Sequence, residues 1–557
     1  MNNDVLLLVK KLALLNAVKH DGKAVPGGVV GGVLGSFPDQ KSNMKELSTE
    51  ITKIIKEVNS LSIEAQKVEL LKINPDALES KHKEHDLFAF LDIKEGEKIR
   101  TAFPPGPEKY PHIGHAKSLF LNYLLAQKYN GEFFLRFEDT NPELVKEEFY
   151  TIMLENFKWL GVSWDKLLYA SDYMTLYYKH CEELLNKDKA YVCTCNSEAI
   201  KLGREKGTPC KCRSRSIKDN VGLWKKMPEM NQGDAIVRLK IDLKHKNSTM
   251  RDPAIFRIIK TTHARLGTKY SVWPNYDFQN SIMDGYFKIT HRLRSKEFEM
   301  RNELQRFIQT LLGYSETKIY EFARFNLEGV ESSGRVIREK VNSGELLGWD
   351  DPSLTTIVAL RRRGFQPEAI KEFVVKTGIT KSESTLTWDD LMLHNKRIVD
   401  RLAKRFFFVS DPIKIKVKGA PKKIVELKFH PDDTKKTRIL NTHEDFFISK
   451  KDLDSLKKGN VYRLIECLNF IYEGNSKFTF VDESVETYKT KGKGMLHYLP
   501  VSDSLINMSV LMPDKTKLVG ITEPNISIIK EGDVVQFERV GFARLDNKTN
   551  FEFWYTH

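Results

Sequence analysis

The sequence predicts a multidomain α/β protein: a helical N-terminal region, a central parallel sheet and a β-rich C-terminal region. Three observations lead there. Residues 1–95 keep the spacing of helices. From Lys98, strand-like and helix-like segments alternate, which argues for a parallel sheet with ligands at the strands' carboxyl ends. After Arg405 the apolar period drops to two. At 557 residues the chain is too long for one core, so about three to five domains are expected.

The elements follow in order. Residues 4–19 read as a helix capped by Asp4, with Leu8, Leu12 and Leu15 on one face. Gly22 to Gly35 is Gly-rich but lacks Gly-x-x-x-x-Gly-Lys-Ser/Thr, so it reads as a turn and close helix contact, not a phosphate loop. Residues 44–74 return to helical spacing. Ile99–Phe103 is extended and runs into Phe103-Pro104-Pro105-Gly106-Pro107-Glu108-Lys109-Tyr110-Pro111-His112-Ile113-Gly114-His115. The prolines end the strand sharply, and Gly114 lets a ligand approach the backbone. The helix-like run Ala116–Lys128 follows. A helix N-terminus attracts phosphate, and two imidazoles on that turn would donate further hydrogen bonds to a triphosphate. The segment reads as a nucleotide-handling loop of the adenylyl-transfer kind, although the same spacing also serves plain helix capping.

Phe133–Phe137 reads as a second buried strand, followed by a turn at Glu138–Pro142 and a helix from Glu143. A cysteine-bearing insertion spans about 185–255. The α/β pattern resumes through Tyr276-Asp277-Phe278, and residues 316–400 read as mainly helical. Beyond Arg405, Ile413, Ile415 and Val417 alternate with Lys414, Lys416 and Lys418. Turns at Pro431-Asp432-Asp433 and Glu473-Gly474-Asn475 complete a β-barrel pattern.

Apolar content is 41% and net charge +14, which suits a polyanionic partner. No run of ~18 apolar residues occurs, so no membrane helix is expected. The start Met1-Asn2-Asn3-Asp4 lacks the basic flank of a signal peptide. Six cysteines in so long a chain make no disulfide framework, and a reducing cytoplasm is the expected setting. Cys193-Thr194-Cys195 and Cys210-Lys211-Cys212 form two Cys-x-Cys hooks separated by fourteen residues. Four thiolates suit a closed, structural tetrahedral zinc site. Cys181 and Cys467 read as buried and inert.

Several segments together resemble one family. They are Leu14–Lys19 with its Gly-rich sequel, Leu135–Pro142, Trp273–Phe278, Thr290–Arg294, Gly348–Pro352, Arg361–Gly364 and Gly532–Arg539, in order over most of the chain. The chain resembles glutamyl-tRNA synthetases of the archaeal type, which share their architecture with glutaminyl-tRNA synthetases. The resemblance implies a class I synthetase with a Rossmann-like parallel sheet, an acceptor-stem insertion and C-terminal antiparallel β-barrels that bind the anticodon. The implied domains are 1–95, helical; 96–315, catalytic; 316–404, helical and carrying the ATP loop at 332–335; and 405–557, anticodon-binding. It implies ATP with Mg2+, glutamate and tRNA(Glu) as reaction partners, transfer to a ribose 2′-OH, and a cytoplasmic protein expected to be a monomer.

Site residues follow from the same resemblance. His112 and His115 fall to the ATP phosphates, with Pro105 and Gly114 beside them. Glu138 matches the residue that contacts the substrate ammonium. Tyr276 and Asn280 fall in the amino-acid pocket, and Arg294 matches the arginine that pairs with a substrate carboxylate, favouring glutamate over a neutral amide. Two positions depart from the pattern. Relatives usually carry Arg directly before Phe-Pro-Pro, where this chain has Ala102; Arg100, on the same side of the strand, is the expected substitute. Relatives often read Leu-Ser-Lys-Arg in the ATP loop, where this chain reads Ser332-Ser333-Gly334-Arg335. Arg335 is expected to act there, with the hydroxyls of Ser332 and Ser333 and backbone N–H groups made accessible by Gly334. Basic runs at Lys201–Lys206, Lys211–Arg215, Arg361–Arg363 and Lys414–Lys423 are candidate RNA contacts. Rival readings are a glutaminyl-tRNA synthetase, a small nucleotidylyltransferase, and a catalytically weakened synthetase-like RNA-binding protein.

Overall fold

Five parallel strands form the sheet of the region that follows the N-terminal helices. In the computed structural model, which describes residues 3–20, 22–73, 86–325, 327–383 and 385–557, β1 is Arg100–Phe103, β2 Glu132–Phe137 and β3 Lys166–Tyr169. An insertion carries β4 (Ala190–Cys193), β5 (Ile236–Leu239), β6 (Ala254–Ile258) and β7 (Val272–Pro274); then come β8 (His291–Ser295) and β9 (Lys318–Phe322). The main sheet has the order β3-β2-β1-β8-β9, all pairs parallel. The order reverses at β1, so a crevice opens beyond its carboxyl end, where doubly wound sheets bind ligands. The helix Ile113–Lys128 follows β1 and packs Ala116, Leu119 and Phe120 into the core beside Phe133, Leu135 and Phe137. Strands β4–β7 form a separate antiparallel sheet.

Boundaries differ from expectation in places. The helix after β2 begins at Glu147, not Glu143. Residues 141–146 turn back on Asn141, and the Lys146 N–H donates to Pro107 O at 3.3 Å, anchoring the turn to the loop after β1. The region 316–400 begins with β9, which completes the sheet, before its helices Gly334–Asn342, Ile357–Arg363, Pro367–Lys376 and Trp388–Val399.

The chain divides into residues 1–91 and 92–557. Within the first unit, helices span Asn3–Lys19, Pro26–Ser36, Met44–Asn59 and Ile63–Ile73. Residue 74 lies outside the described residues. The first helix already includes Asn3, so Asp4 sits in its first turn, where its charge suits the dipole, and is not its cap. Its buried stripe is Val5, Val9, Ala13 and Ala17, with Leu8, Leu12 and Leu15 only half-buried. Leucines on every side made that face ambiguous. A Cβ on Gly28 or Gly32 would lie 2.5 Å from Asn16 Nδ2 or 2.8 Å from Leu12 Cδ1, so the Gly-rich helix is a close-packing surface.

Two seven-stranded, mainly antiparallel sheets occupy the C-terminal region. Ile415 and Val417 face the core while Lys414 and Lys416 face out, pairing with Asp445 and Glu444. Arg361–Arg363 is not a free basic surface. Arg362 bridges Asp350 and Asp546. Arg363 is buried and donates to Pro352 O, Tyr555 O and Thr556 O at 2.9, 3.2 and 2.8 Å, tying the last strand to the helical region. Arg361 lies over the Trp159 ring. Cys181 and Cys467 are buried. No described helix is long and apolar enough to cross a membrane.

Candidate active site

A cavity of about 570 Å³ opens at the carboxyl ends of β1, β2 and β8. Its β1 side is the proline-rich turn. His112 is the N-cap of the helix Ile113–Lys128: its Nδ1 accepts from the Gly114 N–H at 3.1 Å, and His115 Nδ1 accepts from the His112 N–H at 3.2 Å. Both rings therefore cap the helix. Burial, with the charge of Lys109 adding to it, drives the His112 imidazole down to about 3. Burial also holds His115 well below the usual range, helped by His112 and Lys109. A neutral ring whose Nδ1 accepts carries its proton on Nε2. Each imidazole thus keeps one donor, and capping and ligand binding are compatible roles. Pro105 and Gly114 also line the cavity. A Cβ on Gly114 would lie 2.9 Å from His112 Cε1 and 3.0 Å from its Nδ1, so a side chain there would push the capping imidazole aside.

The opposite wall is ionic. Arg136 is fully buried; it donates to Glu138 Oε1 at 3.0 Å, Asp284 Oδ1 at 2.7 Å and Asn280 Oδ1 at 2.7 Å. Arg292 donates to Asn280 Oδ1 at 2.6 Å and Asp284 Oδ2 at 2.8 Å. Burial works to raise the Asp284 carboxyl, but Arg292 and Arg136 outweigh it and hold it below the usual range. Glu138 faces the cavity with one oxygen held by Arg136, while its Oε2 is buried with no partner in the structure. Burial raises its carboxyl despite Arg136 and Arg292. Such an orphan acceptor costs stability unless a ligand satisfies it.

Arg294 contrasts with Arg136. Its guanidinium donates to the amide oxygens of Gln305 (2.9 Å) and Asn302, lies over the Phe298 ring, and has a buried Nε with no partner. No carboxylate pairs with it among the described residues. A buried guanidinium without a carboxylate on a cavity wall has the chemistry to receive one.

Several expected residues lie elsewhere. Asn280 is behind the wall, fully buried, with its oxygen shared by Arg136 and Arg292; it positions them and does not line the cavity. Arg100 sits at the start of β1, away from the cavity. Its Nε donates to Glu132 Oε2 at 2.7 Å and its NH1 to Phe287 O at 2.8 Å. A parallel strand separates its two ends, so a side chain at the amino end cannot serve a site at the carboxyl end. Tyr276 and Ser332 do line the cavity, whereas Ser333, Gly334 and Arg335 do not. Gly334 opens the helix Gly334–Asn342, which turns Arg335 outward; its side chain is 84% exposed and lies 3.8 Å from Glu339. Ile337 takes the buried face, and Arg338 donates to Glu108 O.

Three cations on the cavity were not singled out in the sequence: Arg292, Arg324 and Lys109. Arg292 was legible, since Arg292 and Arg294 alternate on one side of β8. In the parallel register Thr101 faces His291, which sets Arg292 beside Ala102. Loop residues such as Lys109 give no such signal.

In the insertion, Cys193, Cys195, Cys210 and Cys212 converge, all four sulfurs within 4.8 Å of one another. Cys193–Cys210 and Cys195–Cys212 are each 3.8 Å apart. Sulfurs on one tetrahedral zinc, each ~2.3 Å from the metal, lie about 3.8 Å apart, so the residues fit that ion.

A doubly wound sheet whose first strand feeds a His-x-Gly-His helix, facing a carboxylate and paired guanidiniums, defines a nucleotide-dependent enzyme of the adenylyl-transfer class. Family comparison narrows this. Residues 98–401 match the catalytic domain of class I tRNA synthetases (E and Q), and residues 403–487 and 495–546 match two anticodon-binding domains of those synthetases. The chain belongs to this family. Similar proteins include the glutamate–tRNA ligase of Pyrococcus abyssi, 39% identical over 98% of this chain and 97% of that one. The glutamate–tRNA ligase of Pyrococcus furiosus is 37% identical over 98% of each chain, and that of Methanothermobacter thermautotrophicus 36% over 99% of each.

Proposed function

We propose that this protein attaches glutamate to the 3′ end of tRNA(Glu) through a glutamyl-adenylate. One observation carries the choice of amino acid: Arg294 is buried on the cavity wall, its hydrogen bonds go to amide oxygens, and no carboxylate pairs with it among the described residues. A substrate carboxylate neutralises it; a glutamine amide at the same place gains no ion pair. The orphan Glu138 Oε2 accepts from the substrate ammonium. Arg292, locked by Asn280 and Asp284, presents the second guanidinium that position 102 lacks.

The chemistry is two substitutions. A glutamate α-carboxylate oxygen attacks the α-phosphorus of ATP; the bond to the bridging oxygen breaks, and pyrophosphate leaves with the electron pair. A ribose hydroxyl of the tRNA then attacks the mixed-anhydride carbonyl; the bond from that carbonyl carbon to the phosphate oxygen breaks, AMP leaves with the electron pair, the hydroxyl proton is released, and the ester remains. ATP enters with its magnesium ion as part of the substrate. The Nε2–H donors of His112 and His115 meet negative charge on the phosphates as it develops, and being neutral and fixed they need no reorganisation. The helix N-terminus behind them adds its dipole. The C-terminal sheets take the anticodon end of the RNA, consistent with their family match.

Cys193, Cys195, Cys210 and Cys212 would hold a structural zinc in a reducing cytoplasm. Cys193 at the end of its strand and Cys212 in the turn Lys211–Ser214 would be two of its ligands, and such a site would add to the small cluster around Tyr191 in holding this segment. Purified protein is expected to carry about one zinc per chain, and Cys210→Ser to lose it; a metal-free native protein of full stability would rule the ion out.

Charging of purified tRNA isoacceptors with glutamate, glutamine or neither tests the whole reading. Glutamate-dependent charging alone is expected. RNA binding without any charging would instead identify a silent synthetase-like binder.

A further inference from the structure

We propose that Lys109 is the cation that meets the triphosphate in this site, and that Gly334 is the seat that lets its side chain reach there. The inference rests on the function proposed above and assigns a residue that neither the motif nor the ATP loop suggested.

Geometry carries it. Lys109 lines the same cavity as His112, Gly114 and His115. Its stem runs over Gly334: a Cβ there would lie 2.7 Å from Lys109 Cδ, 3.4 Å from its Cβ and 3.6 Å from its Cγ. Any residue but glycine at 334 would push the lysine off its course. The glycine therefore provides space for a neighbour rather than backbone freedom for itself. Arg338 fastens the two segments together through Glu108 O at 3.0 Å, so the loop and the helix meet as one wall.

Charge points the same way. Of the other cations on the cavity, Arg292 pairs with Asp284 through NH1 and is assigned to the amino acid, and Arg324 pairs with Glu297 at 3.4 Å. Arg294 lies on the amino-acid side. Lys109 makes neither an ion pair nor a hydrogen bond among the described residues, with Glu108, Glu297 and Arg324 as its charged neighbours. Its ammonium also helps keep both imidazoles neutral, which places it on the histidine side. A compact, strongly hydrated point charge on a flexible stem suits pyrophosphate oxygens, which shift as the bond breaks. Arg335, the residue expected from the sequence to do this work, faces solvent.

The test compares Lys109→Gln, Arg335→Ala and the double variant Lys109→Ala/Gly334→Lys in full-length protein. Glutamate-dependent ATP–pyrophosphate exchange is measured, with ATP binding followed separately by calorimetry and folding by thermal denaturation. Lys109→Gln is expected to lower exchange kcat/KM for ATP by about 10²-fold or more, with unchanged melting, and to weaken ATP binding at least ~10-fold. Arg335→Ala is expected to lose far less. Because positions 109 and 334 touch, a lysine at 334 occupies the space vacated in the double variant, which is expected to recover most of the loss. Lys109→Gln within ~3-fold of the parent in exchange and ATP binding, or Arg335→Ala losing as much as Lys109→Gln, would overturn the inference. A parent protein that binds ATP but shows no glutamate-dependent exchange would sink the proposed function instead, and the calorimetric comparison would still decide Lys109.

Discussion

Tyr110 and Trp349 lie face to face, ring centroids 5.1 Å apart and planes 10° from parallel. Tyr110 belongs to the turn that carries His112; Trp349 belongs to the segment entering the helix Ile357–Arg363. The stack is one of three fastenings. The Ile113 N–H donates to Thr355 O at 3.0 Å, and the Ile357 N–H to Pro111 O at 2.8 Å. The imidazole loop is therefore held from both sides, by its own helix and by a segment more than two hundred residues away. Trp349→Ala is expected to destabilise the catalytic region by about 1–3 kcal/mol and to raise KM for ATP more than it lowers kcat. A thermal shift together with steady-state exchange kinetics checks this; an unchanged melting temperature would mean that the backbone pairs suffice.

His112 has two tasks on two ring atoms, and they can be separated. Asn at 112 still offers an acceptor for the Gly114 N–H, but no donor where Nε2 stood. His112→Asn is expected to keep its stability within about 1 kcal/mol while exchange falls by roughly 10²–10³-fold. Circular dichroism melting beside exchange assays would show the split. Loss of both together would make the residue a cap and nothing more.

The neutral imidazoles also set a pH dependence. An unfolded histidine titrates near 6.5, whereas burial holds folded His112 down to about 3 and His115 well below its usual value. Between those limits the unfolded chain binds protons that the folded chain refuses. Stability is thus fully present above about pH 6.5 and declines as pH falls toward 3, with a slope of up to about 1.4 kcal/mol per pH unit for each histidine. Denaturation midpoints from pH 7 to pH 4 are expected to fall more gently in His112→Asn than in the parent. Parallel slopes would contradict the buried neutral ring.

Arg100 and Arg292 make opposite predictions about glutamate. Arg100→Ala breaks the contact with Glu132 at the far end of β1 and is expected to leave KM for glutamate unchanged. Arg292→Leu is expected to raise it at least ~10-fold, since an ionic hydrogen bond is lost. Adding Ala102→Arg to Arg292→Leu returns a guanidinium to the adjacent register position and should recover part of the affinity. Glutamate titrations of the three variants decide it, and a raised KM in Arg100→Ala would restore that residue's claim.

Much of this molecule was readable beforehand because it is encoded locally. The prolines, the glycine and the two histidines at 103–115 specify a strand, a sharp turn and a helix start within a dozen residues. Alternation marked Ile415 and Val417 as inward. The two Cys-x-Cys hooks brought four sulfurs to one point, as their spacing suggested. What failed had no local signature. The first helix hid its true face because leucines surround it. Arg361–Arg363 read as RNA-binding surface, yet Arg363 is buried against the carbonyls of Tyr555 and Thr556, which nothing near residue 363 announces.

The sequence by itself determined the chemistry available: which donors, carboxylates and thiols exist, and which helix begins at His112. Only the tertiary structure decided which charges are spent. Arg136 is consumed by Glu138 and Asp284, Arg100 by Glu132, and Arg335 by solvent, while Arg294 and Lys109 face the cavity with no carboxylate partner among the described residues. The reason is that an ionic group's role depends on its neighbours and its exposure to water, and those come from segments far apart in the chain, assembled only on folding.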